Sequence, residues 1–145
     1  MRDLHSHIRT VVAIGAAVLA ADNTPAAIDL RGYDSAEIDL SIGIGGITFD
    51  ATNKIEYVLT QSDDDVTYTP VTDADLLGVS GTVNGIIKAL KAAHAAPNAY
   101  RYGYIGGKRY IKLLADFSGT HGTGTPMAAN IIKGHPSRQP TSNQA

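Results

Sequence analysis

Asp116, Ser118 and His121 stand within six positions of one another and carry a carboxylate, a hydroxyl and an imidazole. Together these are the groups of a nucleophilic hydrolase. A nucleophile elbow would show as a sharp strand–turn–helix pattern around the serine. Here a Gly/Thr loop and a strand pattern follow it, so the trio sets up no hydrolase expectation. Asp63, Asp64 and Asp65 are hard oxygen ligands suited to calcium. Counted from Asp63, the sixth position is Tyr68 and the twelfth is Ala74, so the Gly and Glu of a calcium loop are missing. Adjacent Asp residues at a turn more often bond their own backbone. His5 and His7 would share one face of a strand, yet a zinc site needs three or four ligands and no third lies near. The run 119–125, G-T-H-G-T-G-T, lacks the Gly-Lys-Ser/Thr ending of a phosphate loop and precedes a strand pattern. No catalytic, metal or cofactor site is expected.

Composition narrows the class further. The chain has 145 residues, enough for one domain, and 43% are apolar, enough for a core. Charged residues are 18%, below the usual quarter or so, which fits both a surface partly covered by partners and a plain small β domain. A net charge of −2 argues against nucleic acid, which calls for a basic face. There are no cysteines, so disulfides and thiolate metal sites are excluded. Arg2 and Arg9 precede an apolar run, Val11 to Ala21, in the outline of a secretory signal. Asp3, His5 and His7 do not suit the charged region of a signal. The run is also shorter than the roughly 20 residues that span a membrane. It is expected as an apolar strand, or two short ones broken at Gly15.

The elements that must position everything else are short strands. In 35–44, Ala36, Ile38, Leu40, Ile42 and Ile44 alternate with Glu37, Asp39, Ser41 and Gly43, the pattern of a half-buried strand. Ile55, Tyr57 and Leu59 mark another. Segment 66–69 is β-rich, 72–78 reads as a loop, and 85–91 fits both a helical stripe and a strand, with strand preferred. Segment 127–133 is the last strand. About eight strands at regular spacing predict an all-β fold, an antiparallel β-sandwich or barrel of jelly-roll type. Residues 1–9 form an N-terminal arm, 10–136 the domain, and 137–145 a polar tail. That tail holds no core-forming residue and is expected to lie on another subunit or another protein.

The centre of this fold is 100–119. Tyr100, Tyr102 and Tyr104 alternate with Arg101 and Gly103, a Gly106-Gly107 turn follows, and Ile111, Leu113, Ala115 and Phe117 alternate again. The pattern predicts a β-hairpin. Its tyrosines are expected to fill the core; exposed, they would form a sugar-stacking or protein-contact platform. With the tyrosines inward, the arms and the Gly/Thr loop must hold any partner. The candidate partner-binding residues are then His5, His7 and Arg9 in the arm, Arg101 and Lys112 on the hairpin, His121 in the loop, and Arg138 in the tail.

The stretch from Tyr102-Gly103-Tyr104-Ile105-Gly106-Gly107 through Lys108-Arg109-Tyr110-Ile111, with the later Gly134-His135-Pro136, resembles a group of small virion proteins of tailed bacteriophages. Gln61-Ser62-Asp63-Asp64, Tyr68 and Asp73-Ala74-Asp75-Leu76-Leu77-Gly78 are similar to that group as well. The likeness runs over about 28–136 and leaves out the N-terminal arm. It implies a structural protein, most readily a capsid decoration (cement) protein on the outside of the head. Its partner would be the major capsid protein, and it would form a homo-oligomer, with a trimer the form suggested. The resemblance brings no catalytic residues, cofactor, nucleic acid or membrane. A carbohydrate-binding or host-attachment module and a tail or neck protein are the alternatives.

Overall fold

The cleanest alternation in the chain becomes its central strand. In the computed structural model, which describes residues 3–141, Ala36, Ile38, Leu40 and Ile42 are buried. Glu37, Asp39 and Ser41 lie on the other face, because successive strand side chains point to opposite sides. The strands are β1 (Ile8–Leu19), β2 (Ile28–Asp29), β3 (Tyr33–Ile42), β4 (Lys54–Ser62) and β5 (Thr69–Pro70). They continue with β6 (Leu76–Leu77), β7 (Ile86–Leu90), β8 (Asn98–Tyr104), β9 (Tyr110–Ser118) and β10 (Thr125–Pro136). Two short 3-10 turns, His5–His7 and Asp73–Asp75, are the helical pieces among the described residues. No helix among those residues is long and apolar enough to cross a membrane.

The strands form two antiparallel sheets of five. One runs β1-β10-β3-β8-β6; the other runs β2-β9-β4, with β5 and β7 sharing the far side of β4. The pairing is nested: β1 with β10, β2 with β9, β3 with β8, β4 with β7. Successive pairs go to alternate sheets, which is the wiring of a jelly roll. β5 and β6 are two-residue additions between β4 and β7, one on an edge of each sheet. The fold is thus a sandwich and not a closed barrel. Inward residues of the two sheets meet in one core, where the Tyr57 hydroxyl reaches Met127 Sδ at 3.6 Å.

The 100–119 stretch is not a hairpin. β8 pairs with β3 and β6, whereas β9 pairs with β4 and β2. The turn between them crosses from one sheet to the other. Alternation reports which face a side chain takes and is silent about the neighbouring strand, so both wirings share one pattern. A Cβ at Gly106 would sit 2.6 Å from Gln61 Oε1 and 2.8 Å from Asp75 Oδ1, so a larger residue would have to displace side chains packed against the crossing.

Smaller differences have local causes. β5 is shorter than the run 66–69, because the Val66 and Thr67 amides donate to Asp64 Oδ1 at 2.9 and 2.8 Å and extend the turn. The ambiguous segment 85–91 is a strand, held against β4. β1 is one strand, with register shifts between Val12 and Ile14 and between Ile14 and Ala17, the second spanning the expected break at Gly15. It takes in Ile8 and Arg9, so the arm ends earlier than expected. The tail lies on its own chain as far as Thr141. Ser137 N–H donates to Gly32 O at 2.9 Å, Thr141 N–H to Ser6 O at 3.1 Å, and Thr141 Oγ1 to Ile8 O at 3.0 Å. Its polar groups satisfy carbonyls left open where the arm enters the sheet. The rest of the tail, 142–145, lies outside the described residues, as do Met1 and Arg2.

Candidate interaction surfaces and cleft

The tyrosine stripe points inward. Tyr102 and Tyr104 are 7% and 2% exposed, and Tyr100 is half-buried against the core. Burial raises the Tyr104 phenol to about 12. A stacking platform on this stripe is ruled out by its burial.

The candidate partner residues divide into four places. His5 and His7 sit on a 3-10 turn, not on a strand. Arg9 lies in β1 opposite Lys133, and Arg138 lies in the tail between Ser137 and Thr141, which tie that tail to the β2–β3 turn and the arm. These four therefore gather at one end of the sandwich. Arg101 stands on the outer face of the β3-containing sheet, its side chain 85% exposed and 3.9 Å from Glu37. Lys112 lies on the outer face of the other sheet, its ammonium 3.9 Å from the Tyr68 ring centre. His121 is at the opposite end and is buried, at 3% exposure. Its Nε2–H donates to Ser118 O at 2.8 Å, and its ring meets Phe117 edge-on at 4.7 Å. The Gly/Thr loop folds over this histidine as a plug, so it is not a surface contact. Its bond goes to the Ser118 backbone, which leaves the Asp116–Ser118–His121 trio unassembled.

The end that holds the arm and tail also holds groups that spacing did not single out. Arg109 grips Asp29 with two bonds, 2.8 and 3.1 Å, and this holds the Asp29 carboxyl below the usual range. Lys108 Nζ lies 2.5 Å from Asp63 Oδ2. Lys133, mostly buried, donates to Asp29 O at 3.1 Å beneath the Tyr33 ring, and burial lowers its pKa. Between the 30–35 turn and the 104–109 turn opens a cleft of about 330 Å³. On its wall, Ser35 Oγ lies 2.7 Å from His135 Nδ1. These two residues are 100 positions apart, so only β3–β10 pairing reveals them. Among the described residues, no carboxylate bonds the other nitrogen of His135, so the pair shows no orienting third group there. The three adjacent aspartates, 63 to 65, each have a partner. Asp63 meets Lys108, Asp64 holds turn amides that pull its carboxyl down to about 2, and Asp65 accepts from the Tyr68 hydroxyl. No group of three metal-ligating side chains occurs among the described residues.

A second surface is β1 itself. It closes one edge of its sheet, and among the described residues no strand pairs with its free side. It is twelve residues long, while the outermost strands elsewhere, β2, β5, β6 and β7, have two, two, two and five. From Thr10 to Ala21 it carries no charge. Val12 and Val18 stand 61% and 60% exposed, and Ala16, Val18, Pro97, Pro126 and Ala128 line a shallow apolar groove. Proteins commonly blunt such edges with charges, Pro, bulges or short strands. β1 has its two bulges and a single charge, Arg9, near its start.

No family model matches the chain, and no curated protein matches it. Among solved structures, the chain is similar to the crystal structure of the SPBc2 prophage-derived protein YomS. The TM-score is 0.44 at 12% identity, over 87% of this chain and 91% of that one. The jelly-roll wiring follows from the strand pairing alone.

Proposed function

We propose that this is a virion structural protein of a tailed phage, a non-enzymatic cement on the outside of the head that bridges copies of the major capsid protein. The observation that carries the reading is the free edge of β1, which is uncharged from Thr10 to Leu19. An extended segment of a capsid subunit can add to such an edge by main-chain hydrogen bonds, and the apolar groove on the sheet face across β1, β10 and the end of β3 offers a further contact beside it. His5, His7, Arg9 and Arg138, gathered at the end where β1 begins, supply polar and basic contacts beside it. Each contact is modest, and many copies on one shell give avidity. A trimer on local three-fold sites is part of this proposal, as the sequence resemblance implies. Mass spectrometry of purified virions should count the protein in the hundreds, and heads lacking it should open at lower temperature. A count of a few to a few dozen would instead favour a tail or neck position.

A further inference from the structure

We propose that the cleft between the 30–35 and 104–109 turns binds a neutral saccharide. This does not depend on the cement reading, and it lies in a different place from the tyrosine stripe. The cleft has about 330 Å³, at the lower end of the roughly 300–1,000 Å³ of small-molecule sites. Its lining combines apolar Leu30 and Ile105 with Arg31, Asp34, Asp63 and Arg109.

The charges are of both signs. An anion entering it meets Asp34 and Asp63; a cation meets Arg31, Lys108 and Arg109. A sugar hydroxyl both donates and accepts, as a side-chain hydroxyl does, so both kinds of group serve it. The carbon face of a sugar ring suits the apolar residues. Two of the cations are already fixed: Arg109 uses Nε and Nη2 on Asp29, which leaves Nη1, and Lys108 holds Oδ2 of Asp63, which leaves Oδ1. Among the described residues, the Arg31 guanidinium and the Asp34 carboxylate have no hydrogen-bond or ion-pair partner, and both residues are exposed. The site is thus partly pre-organised, with donors and acceptors left over.

A second observation lies behind Ser35, a residue of the cleft wall. His135 has a φ of 52°, the left-handed region that non-glycine residues seldom adopt. Its ring is held by Ser35 Oγ, and Ser35 lines the cleft. Strain of this kind gathers at ligand sites. Here it holds the hydroxyl of Ser35, a residue of the cleft wall, from behind.

The test is an NMR titration of the full chain with glucose, galactose and N-acetylglucosamine, each at millimolar concentration, and separately with acetate and inorganic phosphate. The expected result is that at least one sugar shifts amides within 30–35 and 105–109. Asp34→Ala and Arg31→Ala, at exposed positions, should each weaken that binding at least tenfold with an unchanged melting temperature. Shifts with acetate or phosphate and none with the sugars would make the cleft an anion site and overturn the proposal. So would the absence of shifts with all three sugars, or sugar shifts located elsewhere and untouched by both variants.

Discussion

The Tyr104 hydroxyl donates to Gln61 Oε1 at 2.6 Å and joins the two sheets through a buried polar bond. Gln61 Nε2 in turn donates to Asp75 Oδ2 at 2.9 Å, and the Lys108 amide donates to the Tyr104 oxygen at 3.0 Å. The network fixes the amide orientation of Gln61 and clamps the turn that crosses between the sheets. Tyr104→Phe leaves Gln61 Oε1 buried without its donor, so the variant should lose about 2 kcal/mol. In urea, the midpoint should fall with the slope unchanged.

Glu56 predicts the acid limb of the stability curve. Lys54 lies 2.8 Å and Lys91 3.2 Å from its carboxylate, and these bonds, that of Lys54 foremost, lower its pKa from 4.5. A depressed carboxylate contributes stability that is fully present above the unfolded value and is lost as pH falls through the folded one. Glu56→Gln should therefore be less stable than the parent at neutral pH, by about 2 kcal/mol. The gap should narrow between about pH 5 and pH 3. Melting temperatures of both proteins across that range check it.

The edge of β1 can be closed chemically. Val18→Lys puts a charge on an exposed side chain beside the apolar groove, at no cost to the core. The melting temperature should stay within a few degrees, because surface changes of this kind are usually within about 0.5 kcal/mol. Binding to heads that lack the protein should be lost, as read by co-sedimentation. Full binding by the variant would remove β1 from the docking surface.

Truncation after Pro136 should loosen the arm. Thr141 bonds Ser6, His5 and Ile8, and Ser137 bonds Gly32. Without them, the backbone of His5 and His7 should gain motion on the ps–ns scale, seen as lower NMR order parameters. The amides of the core strands should keep their hydrogen-exchange protection.

Gly85 is a backbone position closed to larger residues. Its φ is 77°, a Cβ would lie 2.5 Å from Leu59 O, and its own carbonyl accepts from Leu59 N at 2.8 Å. Gly85→Ala should cost about 2 kcal/mol or more, since strain and contact both oppose it. Urea denaturation gives the value.

The faces of the strands were legible without coordinates. Ala36, Ile38, Leu40 and Ile42 announce their burial by spacing, as do Ile55, Tyr57 and Leu59, because period two is a local consequence of strand geometry. The tyrosines pointed inward for the same reason. Turn chemistry was legible too: Asp64 bonds the amides just after it, within a few residues.

Only the tertiary structure decided which strand lies beside which. The crossing at Gly106-Gly107 and a hairpin there demand the same residues, and β3 and β4, distant in sequence, choose between them. The candidate sites belong to that second class. Ser35 meets His135, Thr141 meets Ser6, and Asp29 meets Arg109 only because the nested pairing brings both ends of the chain to one end of the sandwich. His121 looked like a loop residue by its glycine neighbours, and it is buried because the loop turns its imidazole onto Phe117. Local pattern fixes the face of a side chain; its partner is set by contacts many residues away, which no short window of sequence contains.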